Sequence, residues 1–226
     1  MTGTISEAYR RVHELDFPAK AAESDTDVRR KRKMDIKTEI GEESAEVLPE
    51  YGRIPISFEV RSVFDVQLLE GGLKGIRLSE RPVASPWVKD YDAIKGEGPT
   101  RWANQWNISN WGVISAFVNR VRQGGCVIAH DTPGVHKLEG RADIAVLWDI
   151  RVAPQYRGKG IGGSLIEEAL AWSKRRNCRI LKVETQNINV PACRFYAKHG
   201  FTLGSINRYS YTECPDEIEL IWCREL

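Results

Sequence analysis

Two side chains and one glycine-rich turn carry most of the chemistry open to this chain. From Val152 to Gly163 the text runs Val-Ala-Pro-Gln-Tyr-Arg-Gly-Lys-Gly-Ile-Gly-Gly, with Gln155, Arg157 and Lys159 set among four glycines. Glycines let a backbone turn tightly and aim successive N–H groups at one anion. A helix opening at Ile161 adds its unpaired first N–H groups and the positive end of its dipole. A phosphorylated ligand is the expected guest. Downstream stand Glu184 and Tyr196, a carboxylate able to take a proton and a phenol able to return one. Asp149, just before the turn, is a rival acceptor. Each carboxylate could equally be a strand-end charge held by a nearby cation.

The turn has a decoy reading. Gly158-x-Gly160-x-x-Gly163 matches a dinucleotide fingerprint, and Glu184 stands where a ribose-binding acid would. A doubly wound sheet needs several further strand–helix units, whereas the chain beyond Glu184 offers one short helix and a hairpin. Ala153 to Arg157 also lengthen the connection beyond a tight strand-to-helix turn. A Walker A loop is excluded by the lack of Gly-Lys-Ser/Thr.

Hydrophobic periodicity places these residues. Ile144 to Val152 alternates as a strand feeding the turn, with Ile144, Val146, Trp148, Ile150 and Val152 on one face. Ile161, Leu165, Ile166, Ala169, Leu170 and Trp172 recur at helical spacing, and Asn177 reads as the C-terminal cap. Arg179 to Thr185 is a second buried strand. Pro191 opens a helix that Gly200 ends. Phe201 to Tyr211 and Ile218 to Trp222 read as a closing hairpin. Upstream, Ile54 to Leu68 looks like a strand, Gly75 to Leu78 a short extended piece, and 113–130 a hairpin with a loop over 119–125. Between them, 81–111 reads as irregular and aromatic, with Trp87, Tyr91, Trp102, Trp106 and Trp111 either lining a pocket or capping the core.

Composition limits the partners. A net charge of +2 argues against a dedicated nucleic-acid binder. No apolar run nears the ~20 residues of a membrane span, and no signal peptide opens the chain. Five cysteines without a C-x-x-C pair read as reduced thiols of a cytoplasmic protein. Four scattered histidines lack metal-ligand spacing, so no metal is expected. Residues 1–50 are charge-dense and read as an N-terminal arm, the domain proper being 51–226. Within that arm Ser6 to Leu15 has helical character. The run Arg29 to Lys33, with Met34 a second candidate start, is a solvated face rather than a nucleic-acid patch, since acidic residues flank it.

Two motifs separated by one strand decide the reading. Gln155-x-x-Gly158-x-Gly160 and Asn189-x-x-Ala192-x-x-x-Tyr196-x-x-x-Gly200-Phe201 together resemble the GCN5-related N-acetyltransferases. That resemblance covers roughly 142–226 and implies an α/β fold: a mixed, mostly antiparallel sheet, splayed between 144–152 and 179–185, with helices on both faces. It implies acetyl-CoA as co-substrate. The N–H groups of Arg157, Gly158, Lys159, Gly160, Ile161 and Gly162 would hold the pyrophosphate, with Gly163 continuing into the helix. Ile150, Arg151 and Val152 would pair their backbone with the pantetheine arm, and Asn189 and Ala192 would face it from the other side. Tyr196 would lie near the sulfur, and Glu184 or Asp149 would take the amine proton.

Trp148 to Val152, Val183 to Asn187, Ala192 to Tyr196 and Glu219 to Trp222 are similar to the streptothricin acetyltransferase type, and Trp87 to Tyr91 faintly so. The implied acceptor is a small cationic amine, drawn by Asp90, Asp92 and Glu97. Asn207 to Tyr211 resembles the peptide-holding strands of ribosomal-protein acetyltransferases, which keeps a protein N-terminus or lysine as the alternative. A non-catalytic acetyl-CoA sensor is the third. Cys193 reads as packing. The final strands and the arm offer a homodimer contact.

Overall fold

In the computed structural model, residues 37–94 and 96–226 are described. The run Arg29 to Lys33, Met34 and the helix expected over 6–15 lie outside them. Nine strands are described: β1 (Thr38–Glu43), β2 (Phe58–Leu68), β3 (Ile76–Lys89), β4 (Gly112–Val118), β5 (Val121–His130), β6 (Ile144–Val152), β7 (Ile180–Gln186), β8 (Thr202–Asn207) and β9 (Glu219–Glu225). With them stand helices α1 (Leu48–Tyr51), α2 (Pro99–Gln105), α3 (Ile161–Arg175) and α4 (Val190–Lys198). Seven strands form one sheet in the order β1-β4-β5-β6-β7-β9-β8, and β2 and β3 make a separate ribbon. Only β6 and β7 pair in parallel; the other neighbours in the sheet are antiparallel.

Each face of the sheet has its own core. Alternate side chains such as Ile114, Cys126, Leu147, Leu181 and Leu220 meet α3 and α4 on one face. Val113, Val127, Ile144 and Val146 meet α1, α2 and the tryptophans on the other. The amphipathic stripe of α3 is buried as its spacing requires. Asn177 adopts φ 59° past its end, with Asn177 N–H on Lys174 O and Cys178 N–H on Ser173 O, a Schellman cap.

Four expectations change. The 113–130 hairpin has a two-residue turn rather than a seven-residue loop: Asn119 and Arg120 both take positive φ, the mirror-image turn whose twist suits a hairpin. Gly124 and Gly125 belong to β5, where a side chain on Gly125 would collide with Ile114 O and the Tyr51 ring. Strand β3 runs on to Lys89 through Pro82 and Pro86, residues that a two-stranded ribbon tolerates because each strand has a free edge. β8 stops at Asn207, whose side-chain oxygen turns the chain by accepting Tyr209 N–H. And β1 pairs with β4 along its whole length, so the domain begins before residue 51.

The consequential departure lies in β6. Val127 pairs with Asp149 and Ile128 with Leu147, which leaves Trp148 without an opposite residue: a β-bulge. The extra residue flips the alternation. Trp148, Asp149 and Arg151 join the face of Tyr51, while Ile150 and Val152 turn to the α3 face. A straight strand would have kept Trp148, Ile150 and Val152 together. Beyond the bulge the sheet opens. β6 pairs with β7 only from Ile144/Ile180 to Leu147/Val183, after which the two strands run on without each other.

Candidate active site

The opening between β6 and β7 is lined by backbone. On its far side β6 is hydrogen-bonded to β5, and Ala153 N–H reaches Gln123 O at 2.8 Å. Antiparallel alternation then turns the N–H and C=O of Ile150 and Val152 away from β5, into the gap. Val152 O accepts from Arg157 Nε at 2.9 Å. Among the described residues, the Ile150 amide and carbonyl and the Val152 N–H remain for whatever enters.

The glycine turn closes one end of this gap. Gly158 and Gly160 take φ 75° and 95°, a region that only glycine enters without strain. Arg157 N–H and Lys159 N–H make long turn contacts of 3.3 and 3.4 Å, and the first helical donor with a carbonyl partner is Ser164 N–H, on Gly160 O. Among the described residues the N–H groups of Gly158, Gly160, Ile161, Gly162 and Gly163 have no such partner. They form an uncovered anion cradle at the head of α3. Gly162 and Gly163 have a second task, since a Cβ there would stand 3.2 Å from the Phe195 ring and 3.0 Å from His199 Nε2. Their lack of side chains lets α3 and α4 approach. The Arg157 side chain is spent elsewhere: its guanidinium donates to Ser57 O and Pro55 O at 3.0 and 2.9 Å, and burial pushes its pKa down. Lys159 lies over the Tyr156 ring and is exposed. Ile161 is core.

The two carboxylates differ sharply. Asp149 is buried and saturated: Arg151 Nε and Nη2 reach its oxygens at 2.9 and 2.6 Å, and the Tyr51 hydroxyl donates as well. Arg151 is itself sealed, with Asp92 at 2.8 Å and Ile54 O at 3.0 Å. Burial alone would lower the Arg151 pKa, but the two aspartates raise it. Asp92, expected to attract a substrate, is thus a counter-ion within the fold. Glu184 is the first residue of β7 past the point where β6 leaves it. It is 30% exposed, accepts from Tyr211 Oη at 2.6 Å and faces Lys137 Nζ at 3.2 Å. Lys137 also bonds Glu219, a buried carboxylate that accepts from Ser210 Oγ.

Tyr196 approaches from the opposite face, on α4. It is buried, and among the described residues its hydroxyl has no hydrogen-bond partner. Burial, then the neighbouring Tyr91 and Asp149, push its pKa well above the ordinary phenol value. Asn189 caps α4 by accepting Ala192 N–H at 3.2 Å, and its side chain also meets Tyr91. Tyr91 links the two faces, bonding Gln186 beside Asn189. The Cys193 thiol is buried and pushed up to about 12, which makes it packing rather than a nucleophile.

The profile of the acetyltransferase (GNAT) family matches residues 86–201. The chain belongs to that family. An acetyl-CoA-dependent N-acetyltransferase is therefore what the split sheet and the glycine cradle serve. Streptothricin acetyltransferase of Escherichia coli is 34% identical over 171 residues, covering 73% of this chain and 83% of the relative. A Bacillus anthracis protein assigned as a streptothricin acetyltransferase, solved with acetyl coenzyme A, superposes with a TM-score of 0.67 at 26% identity. That match covers 84% of this chain and 100% of that one. A Bacillus subtilis protein assigned as a ribosomal protein bS18-alanine N-acetyltransferase is 31% identical over 80 residues, 35% of this chain and 53% of that one.

As a family member, the chain presents groups that fit acetyl-CoA: free N–H donors at a helix head and an unpaired strand edge leading away from them. The aromatic stretch divides between its two readings. Trp102 and Trp111 are core, in ring contact with each other, and Trp111 also meets Trp106 and Trp148. Trp87 is 42% exposed and lines a cleft of about 790 Å³ between the β2–β3 ribbon and the 208–218 loop. Glu217, Asp216, Glu213 and Asp65 line it too, against Arg81 and Arg208. Lys137, Gln186 and Tyr51 carried no sequence signal of their own, because only the topology brings them to Glu184 and Asp149.

Proposed function

We propose that this acetyltransferase moves an acetyl group from acetyl-CoA to a primary amine of a small cationic acceptor of the streptothricin class, with Glu184 as base and Tyr196 as acid. The observation that carries this reading is the position of Glu184. It is the first β7 residue beyond the split, part-exposed, and held by Tyr211 Oη and Lys137 Nζ. The Escherichia coli streptothricin acetyltransferase, matched over 83% of its length, supports the acceptor class.

Acetyl-CoA, when bound, supplies an acetyl thioester. The chain's own residues then act in order. The N–H groups of Gly158, Gly160, Ile161, Gly162 and Gly163 hold the pyrophosphate, and those of Ile150 and Val152 align the arm and polarise the thioester carbonyl. An aliphatic amine, with pKa near ~10.4, arrives protonated and must lose a proton before it can attack. Glu184 accepts that proton. The C–N bond forms as the C–S bond breaks, Tyr196 gives its proton to the departing thiolate, and the proton that the nitrogen sheds on becoming an amide restores the Tyr196 phenol. A phenol whose pKa is raised by burial stays protonated across neutral pH, as that role requires. Asp149, filled by Arg151 and Tyr51, holds the strand instead.

Thiol release measured with streptothricin and with an Ala-starting peptide tests the reading. Turnover of streptothricin, with kcat falling about 100-fold in Glu184→Gln and about 30-fold in Tyr196→Phe, is the expected result. Turnover of the peptide alone would replace the acceptor assignment. Variants near wild type would remove the two catalytic assignments. Tight acetyl-CoA binding without any thiol release would make the chain a sensor.

A further inference from the structure

The base has an occupant. Lys137 sits on a single helical turn, His136–Leu138, fixed from below by fully buried Leu138 and from the side by the Glu139–Lys182 ion pair at 2.6 Å. Its Nζ lies between Glu184 and Glu219. Glu219 is 6% exposed, so the lysine is its only cationic partner among the described residues. Lys137 itself is 32% exposed, and its flexible stem leads outward to solvent. Burial works to lower its pKa, yet the two glutamates raise it, so the amine is an ammonium at neutral pH and does not compete as a nucleophile.

A protonated amine between two carboxylates is also the form in which a cationic acceptor reaches Glu184. Resting on the assignment of Glu184 as base, we infer that Lys137 is a specificity-determining residue: its tethered ammonium holds the Glu184–Glu219 pair until the acceptor's own ammonium displaces it. Weakly cationic amines fail to displace it and are discriminated against. An acceptor with a strong ammonium exchanges one ion pair for another, and Lys137 swings to water.

Substitution distinguishes this displacement from a simple change of charge. Lys137→Gln keeps hydrogen-bonding capacity but removes the ammonium, and should lower KM for streptothricin about fivefold, with kcat moving less. Lys137→Arg should keep the wild-type KM. The double variant Lys137→Met/Glu219→Gln leaves the cluster with the same net charge as wild type and no occupant, so a fivefold fall there assigns the effect to occupancy. Calorimetry of streptothricin on CoA-saturated protein should show the same tightening in Kd, without turnover. Unchanged or weaker KM and Kd in Lys137→Gln and in the double variant would overturn the inference, and if one of them does not fold the other decides. If that happens while Glu184→Gln is inactive, the proposed reaction stands and only the role of Lys137 falls. Full activity of Glu184→Gln would instead remove the base, while the Kd values still decide Lys137.

Discussion

Asp149 and Glu184 show how little residue type says about role. Both are carboxylates at strand positions near the same gap. One is sealed by Arg151 and Tyr51, the other is part-exposed beside Lys137. The difference predicts different failures. Asp149→Asn leaves the Arg151 guanidinium buried with half its charge compensation gone, which should cost about 3 kcal/mol in urea unfolding. Its effect on kcat in the protein that remains folded should be far smaller than that of Glu184→Gln. Glu184 and Tyr196 could be singled out from the sequence, Tyr196 by its spaced motif and Glu184 by the resemblance of Val183 to Asn187, and their catalytic roles stay with the proposal. Lys137 and Glu219 were not, since an ion pair between distant segments leaves no local pattern. Tyr91 was visible as an aromatic, but its link to Gln186 and Asn189 depends on how the ribbon docks.

Among the elements, α3, α4 and the strands β6, β7 and β9 follow from apolar spacing and from caps that sit where Asn177, Asn189, Pro191 and Gly200 put them. The strand β3 was hidden by its prolines, which read as breakers and are harmless in a ribbon with free edges. The bulge at Trp148 was hidden for a subtler reason: residues 144–148 are all apolar, so no break in pattern marks it, and only the opposing strand reveals the extra residue. The glycine turn is the element with the sharpest prediction. Gly160→Ala forces a side chain into φ 95°, at a cost of about 1 kcal/mol in stability. It should also weaken acetyl-CoA binding by tenfold or more in a calorimetric titration, because the cradle's N–H groups turn with that residue. Gly162→Ala, which meets the Phe195 ring instead, should lose more stability than affinity.

For the molecule as a whole, four buried or half-buried tyrosines set an alkaline limit. Burial, together with nearby acids, raises the pKa of Tyr51, Tyr91, Tyr196 and Tyr211 above the phenol value. The unfolded chain releases these protons near pH 10 and the folded chain does not. Their contribution to stability is whole below about pH 10 and is lost as pH climbs from there through the folded values, with a limiting slope of about 5 kcal/mol per pH unit. Urea midpoints between pH 8 and 11.5 check this, and a flat profile would contradict it. At this scale the family and the layered sheet could be read from the sequence, while the start of the domain could not: charge density marked 1–50 as an arm, yet β1 completes the sheet from Thr38.

The split between β6 and β7 has one more consequence. A free strand edge ordinarily invites other protein chains to add to it. Here the edge lies inside the sheet, with β7 pairing to β6 up to Leu147 and Val183. A partner must enter between two strands of the same sheet to pair with it. The shape that would be an aggregation hazard at the rim of a sheet becomes, at its centre, a filter for what is allowed to finish it.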